Sequence, residues 1–458
     1  MTNGADSQQK GNWLESCNFV QVFRTFRMAV HPTKLVLALL AVLVSWVWGR
    51  LLDRIWAAAD HTRVFEDWSA QQADCIGSAL AAVTHGELGI GPGGLIGSLM
   101  AMLQGTSAVL HDHTWFAILY FVPLLFVWAF LGGAVCRIAA VQFARDEKIG
   151  AGEAISFVKQ RYFGGFLLAP LLPLLMVLLV GVLLVIGGMF LSIPYVGDIL
   201  ASLVFGLAIF GGVVIALTLL GALVGGSLFW PTIAAEGSES LDAVSRSFHY
   251  VGATPWRTLF YGLVAMAYGA LCFLFVRFLA YLSLAAAHVF AGFGTSPFGW
   301  WGVREEGANK LDMLWQAPSF DRLFSTAGTV SGVEHFSHWV ILIWVFLTVM
   351  LVWAFLASFY LCASTVVYFL LRRENDAMDI EDVYLDTYEE TDYTPEGVPP
   401  AAEPAAPPAT EVGVPVTVEG AAVEPAPPGG DRPPEQAAED QPAPDADDPA
   451  AGTGGKQD

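Results

Sequence analysis

Charge is scarce in this sequence: Asp, Glu, Lys and Arg make up 14% of its 458 residues, against 55% hydrophobic residues. A soluble globular chain carries about a quarter charged residues, so this composition excludes an ordinary soluble enzyme and fits a chain that uses lipid as solvent. Cysteine is sparse too. Cys17, Cys75, Cys136, Cys272 and Cys362 contain no CxxC pair, and three of them sit inside apolar runs, so no disulfide framework is expected. Catalytic signatures are missing: there is no HExxH, no Gly-x-Ser-x-Gly elbow, no GxxxxGK phosphate loop and no paired intramembrane aspartates. No reaction is named and no cofactor is expected. A basic face is absent as well, which removes nucleic acid from the candidate partners.

The formal net charge of −21 is unevenly placed. From Glu374 to Asp458 there are 22 acids and two bases, whereas residues 1–373 hold 21 acids and 20 bases. A neutral body is followed by an acidic appendage. Residues 374–394 form an acidic candidate docking segment, where Ile380, Val383, Tyr384 and Tyr388 recur at roughly helical spacing and predict a short helix. In residues 395–458, 15 of 64 residues are Pro and most others are Ala, Glu, Asp or Gly. Such a segment cannot bury enough apolar surface to offset its ordering entropy, so a disordered tail is expected. It acts either as a solvated spacer or as the binding segment for a protein partner, and its charge holds it off an anionic leaflet.

A hydrocarbon core of roughly 30 Å needs about 20 apolar residues per helix. Six runs qualify: Leu35–Gly49 with Leu51 and Leu52, Trp115–Ala140, Phe166–Leu191, Ile199–Trp230, Leu259 to about Phe278, and Trp339–Leu371. The expected fold is all-α, a polytopic membrane bundle of about six transmembrane helices over residues 34–373. An amphipathic N-terminal helix precedes it in the lead, residues 1–33. The first run follows a long polar lead and has no small-residue cleavage site, so it reads as a signal anchor. Trp46, Trp48, Trp115, Trp230, Trp256 and Trp339 stand at the run ends, the distribution of an aromatic belt.

Lys and Arg set the direction. Segments assigned to the inside hold 13 of them, while the outside segments hold six, Arg50 and five more in two long outer loops, 53–114 and 291–337. The third run decides the matter. Arg137, Arg145, Lys148, Lys159 and Arg161 precede it, and the short turn Ser192–Asp198 after it has none. Both termini are thereby placed in the cytoplasm, with the chain in the cell (inner) membrane and the lipid bilayer as its first partner. Oligomeric state is left open. Within the first outer loop, Leu95–Leu110 is apolar but too short to span, and reads as an interfacial or packed helix.

Local patterns add detail. Phe19, Val22, Phe23 and Phe26 fall at i, i+3, i+4 and i+7, with Arg24 and Arg27 on the other side. That is an amphipathic helix stopped near Pro32, lying on the inner leaflet or packed on the bundle. Two inner connections look alike: Gly132-Gly-Ala-Val-Cys-Arg with Ala154–Arg161, and Gly225-Gly-Ser-Leu-Phe-Trp with Ala243–Tyr250. In the second, Ser240 suits a helix cap with Asp242 in the first turn, and Leu241, Val244 and Phe248 line one face. The pair suggests a repeated unit of span, amphipathic helix and span.

The stretch Pro231-Thr-Ile-Ala-Ala-Glu236, followed by Asp242-Ala-Val-Ser-Arg246 and Pro255-Trp-Arg257, is the most distinctive. It resembles the matching connection in bacterial helical membrane proteins related to the membrane domain of glycerophosphodiester phosphodiesterases. Uncharacterised, planctomycete-like multi-span proteins are similar, with a lead like Phe23–Arg27 and a closing stretch like Leu370–Asp386. The soluble catalytic domain of that wider group is absent, so the resemblance implies a membrane fold and marks Glu236, Arg246 and Arg257, without carrying the activity over.

Arg277 is a base inside an apolar run, which snorkels, pairs within the bundle or lines an anion path. The histidines cluster: seven of nine (His61, His85, His111, His113, His288, His335 and His338) fall on the outside. His111-Asp-His113 precedes the second run, and Glu334-His335-x-x-His338 the sixth. Were those run ends adjacent, His111, His113, His335 and His338 would suit a shared metal ion, with zinc–nitrogen distances of about 2.1 Å; ordinary wet interfacial histidines are the plainer reading. Three functions follow. The leading one is a non-enzymatic membrane component that organises membrane or partner proteins. A small-molecule or ion transporter or channel is the alternative, though the third and fourth runs carry almost no polar side chains for a path. A metal-dependent membrane enzyme is the third.

Overall fold

In the computed structural model, the described residues are 18–60, 62–87, 89–91, 93–191, 193, 196–295, 310–320, 323–324 and 333–385. Residues 1–388 form one unit; the second, Glu389–Asp458, lies wholly outside the described residues, as do the tail, Tyr388, Cys17 and His61. The described chain is helical. A 3-10 turn, Asn18–Arg24, leads into α1 (Thr25–Ala29), and then come α2 (Pro32–Asp60), α3 (Val64–His85), α4 (Leu95–Asp112), α5 (Thr114–Arg145) and α6 (Ala151–Gln160). A π-helical turn, Tyr162–Leu167, opens α7 (Leu168–Leu191), which is followed by α8 (Val196–Gly225), α9 (Phe229–Glu236), α10 (Ser240–Ala253) and α11 (Pro255–Thr295). Short α12 (Lys310–Leu314) and long α13 (Val333–Asp376) complete the order.

Six of these helices are long and apolar enough to cross a membrane: α2, α5, α7 with its π turn, α8 with α9, α11 and α13. They match the six apolar runs, and the chain is a multi-pass membrane protein. The spans outrun the apolar stretches. Helix α2 begins at Pro32, whose fixed φ and missing N–H suit the first turn, and continues through Arg50 and Arg54 to Asp60. Helix α11 runs to Thr295, well past Phe278, because side chains beyond the apolar core still favour helix.

The spans alternate in direction, so α2, α7 and α11 begin, and α5, α8 and α13 end, at one side, here termed the base. Four of them, α2, α5, α11 and α13, pack side by side. Close approach depends on missing side chains: a Cβ on Gly49 would meet the Phe65 ring at 2.5 Å, and one on Gly269 would meet the Phe359 ring at 2.6 Å. The other two spans behave differently. Helices α7 and α8 pack along each other and reach the rest mainly through α9, α10 and the π turn. Only 11% and 6% of their apolar windows are buried, against 28–39% in the other four, so most described side chains of these two spans lie outside the packed bundle.

The lead is packed on the bundle. Val22, Thr25, Met28 and Ala29 are buried. Phe19, Phe23 and Phe26 set their rings edge-on against Phe260, Tyr268 and Phe355, and Ser358 donates to the Ala29 carbonyl at 3.0 Å. The apolar face recognised in the sequence therefore meets α11 and α13. Helix α10 keeps part of the sequence reading, with Val244 and Phe248 half-buried against the core, and corrects the rest. Its N-cap is Glu239, with no side-chain cap bond, and its buried residues are Ser240, Ala243, Ser247 and Tyr250, while Leu241 is exposed. Small side chains let α10 close onto α9, where the Thr232 and Ser247 hydroxyls lie 3.4 Å apart.

Candidate functional site

Most of the polar side chains that the spans bury collect at the base. Glu236 ends α9, and its side chain is 9% exposed. Its Oε1 accepts from Arg246 of α10 at 3.0 Å and from the Tyr368 hydroxyl of α13, with the Arg372 guanidinium at 3.4 Å. Arg246 also meets Asp242 one helical turn back at 3.3 Å. Burial works against the Arg246 charge, but Glu236 and Asp242 outweigh it and hold its pKa above the ordinary arginine value. Beside them the Tyr250 hydroxyl donates to Asp376; burial, then that bond, push its pKa above the ordinary tyrosine range. Arg257 pairs with Glu374 at 3.1 Å, and Tyr261 donates to the same carboxylate.

Past α13 the chain folds back onto this cluster. Ala377 takes a positive φ of 53°, which ends the helix, and residues 377–385 run on as turn and irregular chain. The short helix predicted there from Ile380, Val383 and Tyr384 does not form over the described residues. The segment is held instead through its backbone: Tyr384 N–H donates to Ala235 O at 2.9 Å, Arg137 to Tyr384 O at 2.7 Å, and Arg372 to Asp382 O at 2.7 Å. Arg137 gives its other nitrogen to Ala234 O at 2.8 Å and stacks 3.9 Å above the Phe157 ring. Arg161 donates to Gly237 O at 3.2 Å and lies 4.9 Å over the Tyr384 ring. Gly237 is required here: its φ is +66°, and a Cβ would sit 2.8 Å from the Tyr384 ring.

Of the residues the sequence singled out, Glu236 and Arg246 are joined directly, while Arg257 attaches next door through Glu374. Arg277 stands apart near the opposite end, donating twice to Phe320 O at 3.1 and 3.3 Å and facing its ring. The four histidines are placed separately. His111 pairs with adjacent Asp112 at 2.8 Å, His113 stands at the N-cap position of α5 without a side-chain cap bond, His335 accepts from Trp339 at 2.9 Å, and buried His338 bonds Leu314 O. Among the described residues no group of three or more His, Cys, Asp or Glu side chains is placed to hold a metal ion.

Several central residues were not singled out by sequence. Lys34, one of the 13 inside bases, is fully buried, and its Nζ donates to Gln142 Oε1 at 2.6 Å in the base of the bundle. Arg137 and Arg372 are also among those 13. The available signal was their setting: each stands within or against an apolar run, where a charge needs a partner. Two open pockets flank the cluster, one of about 540 Å³ beside Ser245, Arg246, His249 and Asp376, the other of about 480 Å³ beside Arg24, Arg145 and Glu381.

This geometry is an interlock. Every carboxylate named at its centre is matched to guanidinium or phenol partners, and the arrangement ties the ends of three spans, two short helices and the chain beyond α13 together. The class it defines is a multi-pass helical membrane protein with a polar clasp at one end. Neither a scan of protein-family profiles nor searches of curated proteins and of solved structures return a match to this chain.

Proposed function

We infer that this protein is a non-enzymatic component of the cell (inner) membrane that presents its acidic C-terminal tail to a protein partner, with both termini in the cytoplasm. The observation that carries the reading is the clasp. Arg137, Arg161, Arg372 and Ala235 grip residues 377–385, so the chain is held on the body up to the last described residues before the tail. The base is also where bases crowd on one side of the third span and none follow it, which supports the cytoplasmic assignment. The stretch that resembles the membrane domain of glycerophosphodiester phosphodiesterases, Pro231–Glu236 with Arg246 and Arg257, is the one that builds this cluster.

The test compares the full chain with a variant truncated after Tyr388, both cross-linked in native membranes. The expected result is that proteins captured by the full chain are lost from the truncated one while its membrane insertion is unchanged. Retention of every captured protein overturns the reading, as does protease accessibility of the tail from the outer side. Solute flux through vesicles that contain the purified chain would favour the transporter reading.

A further inference from the structure

Helix α4 is free of Asp, Glu, Lys and Arg from Leu95 to His111, and its two faces differ. One face is closed on α3. Ser98 and Gly105 are buried there, a Cβ on Gly105 would meet the Gln71 side chain at 2.8 Å, and Gln72 donates to Met102 O at 3.3 Å. The opposite face carries Ile96, Leu99, Met100, Leu103 and Leu110, spaced as one helical stripe and 38–58% exposed. Helix α3 shows water the reverse chemistry, with Asp67, Gln71, Asp74 and Ser78 exposed.

The hairpin is held in one pose. Both oxygens of buried Asp53 near the end of α2 accept backbone N–H groups at the start of α3, from Phe65 at 2.8 Å and Glu66 at 2.9 Å. Phe65 and Trp68 then pack against Trp56, Phe116 and Tyr120 of α2 and α5. This level is rich in tryptophan, the residue that marks the membrane–water interface. Helix α5 starts directly after α4, and its own exposed apolar residues, Trp115, Ile118, Leu119 and Val122, carry the stripe on into the span.

We propose that α4 lies in the interfacial layer of the bilayer, its stripe turned to the acyl chains while α3 faces water. The occupant of the stripe is lipid. The stripe offers no charge, its one hydroxyl, Ser107, is turned back onto Gln104 O at 2.9 Å, and it is continuous with the exposed apolar side of a membrane span.

The experiment uses the full-length chain with Cys17→Ser and Cys75→Ser, reconstituted in phosphatidylcholine vesicles. Nitroxide labels are placed singly through Leu99→Cys, Leu103→Cys, Asp74→Cys and Ser78→Cys. Relaxation by oxygen, which concentrates in the acyl region, is compared with relaxation by a water-soluble nickel chelate. The expected oxygen-to-nickel ratio is several-fold higher at positions 99 and 103 than at 74 and 78. Equal ratios at all four positions overturn the proposal. So does exclusion of both reagents from 99 and 103, which would put a second copy or another protein on the stripe. A wild-type-like elution profile for each labelled variant keeps loss of fold from imitating either outcome.

Discussion

Replacing Glu236 by Ala removes the carboxylate shared by Arg246, Arg372 and Tyr368, and the cost follows from how buried each partner is. Arg246 keeps 40% of its side chain in solvent, so its share is screened to less than about 1 kcal/mol. Arg372 differs, with a side chain 6% exposed and Asp382, itself 62% exposed, as its remaining counter-charge. Leaving one member of a buried pair behind costs about 3–5 kcal/mol, and a lost charged hydrogen bond about 1.5–3 kcal/mol. The expected destabilisation for Glu236→Ala is therefore about 3–5 kcal/mol. Glu236→Gln keeps an acceptor oxygen and the shape, and should cost about half as much.

The assay is unfolding of the purified full chain in detergent micelles, repeated in a cycle with Arg372→Met. Because the arginine is stranded once the carboxylate loses its charge, the double variant should be more stable than the sum of the singles by more than about 1 kcal/mol. A Glu236→Ala protein within about 0.5 kcal/mol of the parent, or strict additivity in the cycle, would refute the reasoning.

Further outcomes are expected elsewhere. Gly237→Ala should cost about 1–2 kcal/mol through left-handed strain, and by crowding Tyr384 should speed proteolysis within residues 377–385; unchanged cleavage would show that the glycine does not position the segment. Lys34→Met together with Gln142→Leu should match or exceed wild-type stability, since a buried ammonium and amide give way to packed carbon, whereas Lys34→Met alone leaves Gln142 Oε1 unpaired at about 1–3 kcal/mol. His31 has its pKa lowered by burial and then by Lys34 and Lys148. The folded state thus binds fewer protons than the unfolded one just below the ordinary histidine value of about 6.5. Its stabilisation is complete above that value and is lost as pH falls through the folded pKa. Melting curves recorded on acidification should show this slope, and His31→Gln should flatten it. Asp53→Ala should cost about 1–2 kcal/mol and accelerate amide exchange at Phe65 and Glu66, the two groups it caps.

The six spans were legible because apolar run length is a direct measure of what a bilayer demands. The division between α7–α8 and the other four was not, since lipid-facing and core-facing side chains are equally apolar and the sequence reads alike in both settings. At the base, Glu236 and Arg246 stood out as a motif ten residues apart. Their companions Tyr368 and Arg372 lie more than a hundred residues onward, where only tertiary folding brings them near. Lys34 and Arg137 count in the sequence only as inside charges, because a single base at the edge of an apolar run looks the same whether it snorkels or turns inward. The helical spacing of Ile380, Val383 and Tyr384 was real, yet a positive φ at Ala377 redirected the chain before that pattern could be used.

The α7–α8 hairpin makes a contrast with the clasp that bears on how each tolerates change. A Leu, Ile, Val or Phe exchange along α7 or α8 swaps one lipid-facing hydrocarbon for another, so a substitution scan should find this hairpin permissive to any apolar residue and intolerant only of charge. The base should scan in the opposite sense, with single conservative changes at Arg137, Glu236, Gly237 or Arg372 doing damage. Two neighbouring parts of one chain would then drift at very different rates among its descendants.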